Sequence, residues 1–268
     1  MLRAFVSSVV NPISSHDPVA YARSAGLDPV RLPRHVAVIM DGNGRWAVDR
    51  GQERVFGHLR GADTVRTVTE ECARLGIEQL TLYALSVENW KRPKPELDFL
   101  MALLKQYLAD ERPTLKKNDI RFAVIGRRVG LPDDVLAEID DCTRFTAGHK
   151  GLRLCLAINY GGRTELVDAV RTLAAKAARK EIAPAAIEES DIAASLYTAG
   201  MPDPDLLIRT AGEMRVSNYL LWQISYAELW LTPTRWPDFG IETLHAALKD
   251  YAGRDRRFGG LPSPVRTC

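Results

Sequence analysis

The sequence predicts an α/β fold in which a central, mostly parallel β-sheet is flanked by helices on both faces. Two patterns predict it. Short apolar runs rich in β-branched residues recur along the 268 residues, and segments with helical spacing of apolar residues separate them. The composition, 46% hydrophobic and 26% charged, is ordinary for one large domain with its own core.

The elements alternate in chain order after a poorly patterned leader at residues 1–32. The predicted strands are residues 35–40, 79–85, 120–126, 152–158, 205–209 and 228–232. The predicted helices are residues 60–76, 95–109, 132–147, 163–180 and 241–253. The first of these helices stops at Gly76, a residue suited to the position just after a helix. Strands and helices that alternate in this way indicate parallel pairing.

Charge and cysteine content limit the classes of function. A formal net charge of +2 gives no sign of a nucleic-acid-binding surface, so an anion site must come from local arginines. The chain has four cysteines: Cys72, Cys142, Cys155 and Cys268. Their spacing suits no metal site and indicates buried thiols in a reducing compartment. No apolar run is long enough to cross a bilayer, and Pro12 interrupts the stretch that a signal peptide would need, so we expect a cytoplasmic protein.

Polar side chains gather directly after the predicted strands, where parallel sheets bind their ligands. The first strand is followed by Asp41, Gly42, Asn43, Gly44, Arg45 and Trp46, with Arg54 and His58 shortly beyond. The second is followed by Ser86, Val87, Glu88, Asn89, Trp90, Lys91 and Arg92. The fourth is followed by the segment NYGGR at 159–163. The fifth ends in Arg209 and is followed by Glu213, Arg215, Val216 and Ser217.

Arginines and glycine-rich turns at one sheet edge predict a diphosphate site. One guanidinium group can bind two phosphate oxygens at once, and glycines let backbone N–H groups approach an anion. A single carboxylate at a strand tip, Asp41, then indicates a divalent metal that bridges to phosphate. Taken singly, DGNG is typical of a turn, Trp46 and Trp90 of a core, and Glu228 of a solvent-facing strand. Their recurrence after several strands favours the binding site.

Residues 42–47 also fit the looser G-x-G-x-x-A fingerprint of a dinucleotide-binding turn. That fingerprint expects an acidic residue about twenty positions later, at the end of the next strand, to hold a ribose. Asp63 has the spacing but belongs to a predicted helix, and Arg45 with Trp46 would crowd a pyrophosphate. The pattern therefore disfavours a nucleotide site.

Seven ordered segments resemble the cis-prenyltransferases, the family of isoprenyl transferases and undecaprenyl diphosphate synthases. They are HVAVIMDGNGRWA, GH at 57–58, LTLYALSVENWKRP, NYGGR, IRTAGEMRVSNYLLWQISYAELW, WPDF and RRFGG. The resemblance covers residues 33–260, which we interpret as the catalytic domain, with a leader at 1–32 and a tail at 261–268.

The resemblance implies a homodimer in which a hydrophobic tunnel runs down from the diphosphate-binding edge. It implies condensation of isopentenyl diphosphate with an allylic diphosphate, with farnesyl diphosphate as the expected primer, using Mg²⁺ and forming one cis double bond per cycle. Transient contact with a membrane surface for product release is part of this expectation. A catalytically silent, partner-binding member of the family is the alternative, but such members typically lose the aspartate and arginines kept here.

The resemblance also implies roles for residues by position. Asp41 resembles the metal-binding, catalytic aspartate, and Glu228 a second Mg²⁺ ligand, in its own subunit or in the partner's site. The allylic diphosphate cradle would comprise Gly42, Asn43, Gly44, Arg45, Arg54 and His58. Further substrate contacts would be Trp46, Ser86, Val87, Glu88, Trp90 and Arg92. The isopentenyl diphosphate clamp would comprise Arg209, Arg215, Val216 and Ser217.

Asn89 resembles the residue assigned as proton acceptor in this family. A neutral amide has essentially no basicity, so Asn89 would orient the proton's path, while departing pyrophosphate is the chemically better acceptor. The sequence leaves both open. Met214 departs from the pattern, since relatives often carry a polar side chain there that could lie near the metal.

The segment at 96–109 carries a prediction about product length. It is apolar on nearly all sides, whereas a helix that only covers a sheet needs one apolar stripe. The excess indicates either plain burial or a tunnel wall, with Leu152 and Ile158 opposite it. Ala84 resembles a position where small residues accompany long products in the family. We therefore expect an undecaprenyl-like product rather than a farnesyl-length one.

Overall fold

The computed structural model describes residues 17–256, which form one six-stranded parallel sheet with helices on both faces. The strand order is β3-β4-β2-β1-β5-β6. The strands are β1 His35–Ile39, β2 Gln79–Ser86, β3 Arg121–Ile125, β4 Arg153–Tyr160, β5 Leu206–Arg209 and β6 Glu228–Leu231. The α/β fold is thus confirmed, and each predicted strand agrees with an observed one to within two residues at either end.

Eight helices connect or cover the strands within the described part of the chain. They are α1 Pro18–Ser24, α2 Asn43–Val48, α3 Arg54–Arg74, α4 Lys94–Lys117, α5 Asp133–Phe145, α6 Gly162–Ala178, α7 Glu189–Ala193 and α8 Ile241–Ala252. All five predicted helices are confirmed, but α4 runs beyond residue 109 and through Pro113. The buried side chains of Leu108 and Leu115 on either side of the proline hold this continuation against the core.

Part of the unpatterned leader is folded. Residues 1–16 lie outside the described residues, but Asp17 caps α1 by accepting a hydrogen bond from the N–H of Val19 at 2.9 Å. The Tyr21 hydroxyl donates to the carboxylate of Glu71 at 3.0 Å, and this buried carboxylate also contacts Arg74 and His245. Helix α1 is therefore packed against the domain through α3.

The core lies on both faces of the sheet because successive strand residues point to opposite sides. One face buries Val36, Val38, Leu80, Leu82, Leu154, Leu156, Leu206 and Ile208. The other buries Ala37, Ile39, Cys155, Ala157, Leu207, Tyr160 and Tyr219. Strands buried on both faces explain the continuous apolar runs.

The described cysteines are free and buried: Cys72, Cys142 and Cys155. Burial raises the pKa of each thiol, as expected for cysteines that serve as small core residues. Cys268 lies outside the described residues. None of the helices between residues 17 and 256 is both long and apolar enough to span a bilayer.

The two ends of the parallel strands differ chemically, and we call them the carboxyl edge and the amino edge of the sheet. Asp41, Ser86 and Arg209 lie at or just beyond the carboxyl ends of their strands, whereas His35 and Glu228 begin theirs. The edge strand β6 exposes the side chains of Leu229 and Leu231, which share one face of the sheet. The site predicted from the sequence therefore belongs to the carboxyl edge, with β6 at one border of the sheet.

Candidate active site

Asp41 lies two residues beyond β1, and both of its carboxylate oxygens have partners, a backbone N–H group and two guanidinium groups. Oδ1 accepts from the N–H of Gly42 at 2.6 Å and lies 3.2 Å from Nη2 of Arg45. Oδ2 accepts from Nη2 of Arg209 at 2.9 Å. Burial alone would raise the pKa of Asp41, but these three donors outweigh it and hold the pKa below its ordinary value. Asp41 is therefore a carboxylate at neutral pH.

Arg209 is the most buried cation of the edge, with its side chain only 3% exposed. Besides Asp41, its guanidinium donates to Oγ of Ser217 at 2.7 Å and to the carbonyl oxygen of Arg215. Arg209 thus ties the end of β1 to the loop after β5. A predicted ligand of isopentenyl diphosphate is in this structure also a tether within the site.

Glu213 joins two of the predicted phosphate-binding arginines. Its carboxylate lies 2.9 Å from Nη1 of Arg45 and 2.5 Å from Nη1 of Arg215. Hydrogen bonding and charge from Arg215, and then from Arg45, lower the pKa of Glu213. An anionic substrate at this edge would compete with Glu213 for both guanidinium groups.

A second cluster of basic residues surrounds Glu96 in the first turn of α4. Its carboxylate contacts Arg92 at 3.1 Å, Arg54 at 3.4 Å and His58 at 3.7 Å. Burial and the positive charge of Arg92 lower the pKa of His58 to about 4, so its imidazole is neutral at pH 7. Sequence reasoning missed Glu96, although its i,i+4 spacing from Arg92 was a usable signal.

Glycines in the loop after β1 and in α3 allow close packing. Gly42 has a φ of +97°, and a Cβ there would lie 2.9 Å from Cβ of Ala211. A Cβ on Gly57 would lie 1.8 Å from the carbonyl oxygen of Asn43, so α3 can approach α2 only at a glycine. These contacts explain the two glycines without a ligand, and the phosphate-cradle role of residues 42–44 stays a prediction.

The predicted site residues between positions 86 and 92 lie on a short helical turn after β2. This 3₁₀ turn spans Val87–Lys91, and the N–H of Ser86 donates to Oδ1 of Asn89 at 3.1 Å in a capping box. Oε1 of Glu88 accepts from Nδ2 of Asn218 at 2.8 Å. The amide of Asn89 therefore already serves the backbone of its own turn.

Both predicted tryptophans are held by protein partners. Nε1 of Trp46 donates to Asp238 at 2.7 Å, and the guanidinium of Arg50 lies 4.1 Å from the centre of the indole ring. Nε1 of Trp90 donates to Oδ1 of Asn159 at 2.7 Å. These contacts support structural roles, and neither indole lines the cavity described next.

A cavity of about 720 Å³ opens at the carboxyl edge. The predicted site residues that line it are Asp41, Gly42, Asn43, Gly44, Arg45, Arg54, His58, Ser86, Glu88, Asn89, Arg92, Arg209 and Ser217. Those that do not line it are Trp46, Val87, Trp90, Arg215, Val216 and Glu228. The structure thus brings most of the predicted residues into one cavity.

Apart from Asn218, which also lines the cavity, mainly apolar side chains form the rest of its wall. Helix α4 contributes Leu100, Met101, Leu103, Leu104 and Tyr107, and the sheet contributes Ala84, Leu85, Leu156 and Ile158. The expectation that Leu152 lies opposite α4 in the same wall is wrong. Leu152 precedes β4 at the amino edge of the sheet and lines a separate cavity of about 930 Å³.

Glu228 is not brought to Asp41. Glu228 begins β6 and pairs in register with Leu206, whereas Arg209, which contacts Asp41, ends β5. Three residues at about 3.3 Å each separate the two positions by roughly 10 Å along the strand. Glu228 instead contacts Nη1 of Arg254 at 2.8 Å. A metal shared by Asp41 and Glu228 within one chain is therefore excluded.

The residues at the carboxyl edge fit Mg²⁺ only together with a phosphate ligand. Within residues 17–256, no group of three or more His, Cys, Asp or Glu side chains could hold a metal ion. Mg²⁺ commonly binds to one or two carboxylates, completed by substrate phosphates and water. Asp41 can supply the single carboxylate, and the adjacent arginines would attract the phosphates.

The fold and the site define an α/β protein with a cavity at the carboxyl edge that joins a cluster of arginines to an apolar wall. The family model described as "Putative undecaprenyl diphosphate synthase" matches residues 39–259. The isoprenyl transferase of Rhodopirellula baltica is 54% identical over 238 residues, covering 89% of this chain and 98% of that relative. That of Geobacter sulfurreducens is 49% identical over 242 residues, covering 90% and 98%.

Two solved structures extend this similarity. The lavandulyl diphosphate synthase of Lavandula x intermedia, in complex with dimethylallyl diphosphate, has a TM-score of 0.84 and 38% identity, covering 86% of this chain and 99% of that one. A "probable undecaprenyl diphosphate synthase" from Campylobacter jejuni has a TM-score of 0.70 and 32% identity, covering 85% and 98%. The chain belongs to the undecaprenyl diphosphate synthase family of isoprenyl transferases and is a prenyl-transferring enzyme.

Proposed function

We propose that this protein is an Mg²⁺-dependent cis-prenyltransferase that adds isopentenyl diphosphate units to an allylic diphosphate and makes a long polyprenyl diphosphate. In each cycle the allylic C–O bond breaks, a C–C bond forms to the alkene carbon of isopentenyl diphosphate, and one proton leaves. The observation that carries the proposal is the cavity that joins Asp41 and a ring of cations to an apolar wall from α4. A diphosphate head and a growing hydrocarbon tail match its two ends.

The allylic diphosphate would bind beside Asp41, Arg45 and Arg54. Breaking the C–O bond places additional negative charge on the leaving diphosphate, which the guanidinium groups stabilise. Mg²⁺ held by Asp41 and phosphate oxygens would add a Lewis acid at this leaving group. Neutral His58 would serve as a hydrogen-bonding group rather than as a cation.

Isopentenyl diphosphate would be held by the loop after β5. The exposed side chain of Arg215 pairs with Glu213, so it can turn to a diphosphate, and Ser217 offers its hydroxyl. Arg209 fixes this loop next to Asp41. The alkene would thereby stand near the allylic carbon while the two diphosphates stay apart.

Two groups are candidates for the proton acceptor, the amide of Asn89 and the leaving diphosphate. Oδ1 of Asn89 already accepts a hydrogen bond from Ser86, and an amide oxygen is a very weak base. We therefore favour the leaving diphosphate as acceptor, with Asn89 maintaining the turn that faces it. Replacement of Asn89 would then slow the reaction by displacing neighbours rather than by removing a base.

A homodimer is part of the proposal. The exposed Leu229 and Leu231 on edge strand β6 would be covered by a second copy. If the two-fold axis beside this edge were perpendicular to the strands, the two β6 strands would run in opposite directions. The amino end of one β6, with Glu228, would then lie near the carboxyl edge of the other sheet, where Glu228 could reach the partner's metal site. Transient membrane contact would follow from the apolar product.

The proposal is tested with purified protein, labelled isopentenyl diphosphate and either geranyl or farnesyl diphosphate, with Mg²⁺ or with EDTA. We expect Mg²⁺-dependent products that are undecaprenyl-like in length when sized by chromatography. No incorporation with either primer would favour the silent, partner-binding alternative, and farnesyl-length products alone would refute the long-chain assignment.

A further inference from the structure

The NYGGR segment after β4 does not line the active-site cavity, although its glycines resemble a phosphate loop. A Cβ on Gly161 would lie 2.7 Å from Nδ2 of Asn218 and 2.8 Å from Cγ2 of Val87. A Cβ on Gly162 would lie 2.8 Å from Cγ of Leu221. These glycines therefore make room for the loop that follows Ser217, and for Asn218 in particular.

Asn218 makes three hydrogen bonds that join three segments. Its carbonyl oxygen accepts from the N–H of Gly162 at 2.7 Å, and Oδ1 accepts from the N–H of Arg163 at 2.9 Å. Its Nδ2 donates to Oε1 of Glu88 at 2.8 Å. Burial raises the pKa of Glu88, but hydrogen bonds, first that from Asn218, bring it below its ordinary value. One side chain thus links α6, the loop after β5 and the turn after β2.

The backbone around Asn218 is held in an uncommon conformation. Ser217, Asn218 and Leu220 have φ values of 47°, 61° and 45°, in the left-handed region that side-chain-bearing residues seldom adopt. Such residues persist where the surrounding contacts determine them. The two bonds to Gly162 and Arg163 supply those contacts, so the position of Ser217 depends on the docking of Asn218.

We propose that Asn218 is a positioning residue that sets the distance between the isopentenyl diphosphate loop and the turn carrying Glu88 and Asn89. It acts through Glu88, and this inference depends on the proposed function. A shift of Glu88 against Ser217 would misalign the two substrates, and misplacement of reacting groups lowers turnover more than binding. We therefore expect defects at Asn218 to appear mainly in kcat.

The test is a double-mutant cycle between Asn218 and Glu88. Asn218→Asp keeps the size, the left-handed backbone and the acceptor for Arg163, but places a carboxylate against Glu88. We expect a kcat loss of about tenfold or more, with each KM changed by less than about threefold. In the Glu88→Gln background the new amide can donate to Asp, so the same substitution should cost at least fivefold less.

A matched control comes from an asparagine far from this cavity. Nδ2 of Asn118 donates to Oε1 of Glu70 at 3.3 Å, and Asn118→Asp should lower thermal stability without lowering kcat. Equal kcat losses in both Glu88 backgrounds would overturn the inference, as would a loss confined to the KM of isopentenyl diphosphate, which would mean direct binding. The activity of the wild type is measured first, and an inactive wild type would refute the proposed function independently of the double-mutant cycle.

Discussion

Replacing Asp41 should destabilise the protein as well as stop the reaction. A polar residue beyond a strand end would ordinarily contribute little to stability, but Asp41 neutralises Arg209, whose side chain is 3% exposed. Asp41→Asn keeps an acceptor and loses the charge. A hydrogen bond to a charged group contributes about 1.5–3 kcal/mol; the asparagine oxygen would still accept from the charged guanidinium but no longer compensates its charge, so we expect to lose part of this, about 1–2 kcal/mol.

The other partner of Asp41 adds little to this sum. The side chain of Arg45 is 44% exposed, and solvent-exposed ion pairs contribute about 0–1 kcal/mol. Asp41→Ala also removes the acceptor and leaves a donor of Arg209 unpaired, which raises the expected loss to roughly 2–4 kcal/mol. Both variants should lack measurable turnover at saturating Mg²⁺, because each removes the proposed metal-binding carboxylate.

The stabilisation by Asp41 should depend on pH in a direction that follows from its lowered pKa. The pKa of Asp41 is lower in the folded protein, so its stabilisation is complete above the unfolded-state pKa of about 3.9. It is lost as pH falls through the lower folded-state pKa. The unfolding free energies of wild type and Asp41→Asn should therefore differ by a constant amount from pH 7 to pH 5 and converge below about pH 4.

The assay is urea unfolding followed by circular dichroism at pH 7, 5 and 3. Asp98→Asn is the matched control, because Asp98 forms an exposed ion pair with Lys94 and should change stability by less than about 0.5 kcal/mol. An Asp41→Asn protein as stable as wild type at pH 7, or a difference that persists unchanged in acid, would refute the role assigned to the Arg209 contact.

Three further predictions concern substrates and subunits. Arg215→Ala should raise the KM of isopentenyl diphosphate about tenfold or more and leave that of the allylic substrate unchanged, as steady-state kinetics would show; Arg209→Ala should in addition lower the unfolding free energy in urea. Ala84→Leu should give shorter products at near-normal initial rates, since it narrows the cavity; unchanged lengths on chromatography would mean that the chain does not pass Ala84. Mixing inactive Asp41→Ala and Glu228→Gln proteins under conditions of subunit exchange should restore activity if Glu228 serves the partner's site, and a mixture that stays inactive would contradict that assignment.

The strands and their carboxyl-edge residues were predictable because each depends on local pattern. Apolar runs identify buried strands, and the rule that ligands bind beyond their carboxyl ends selects Asp41 and Arg209 without any contact being known. The position of Glu228 was also readable, since it begins a predicted strand and so belongs to the opposite edge. Its identification as a partner of Asp41 came from resemblance alone.

Unlike Glu96, the acidic partner that joins Arg45 to Arg215 was not predictable. Glu213 meets Arg45 across 168 residues of sequence, and no local periodicity reports such a contact. Helix α2 has six residues, too few for an apolar stripe to repeat, so the glycine-rich segment looked like a loop. The docking of Asn218 onto the NYGGR segment likewise depends on tertiary packing.

Glu71 links the two ends of the described chain in a way that should govern how they open. Its buried carboxylate accepts from Tyr21 of α1 and lies 2.7 Å from Nε2 of His245 in α8. If α1 detaches, this carboxylate loses a donor that α8 alone cannot replace. The amide protons of both helices should therefore exchange with deuterium in one cooperative opening event, although more than 200 residues of sequence separate them.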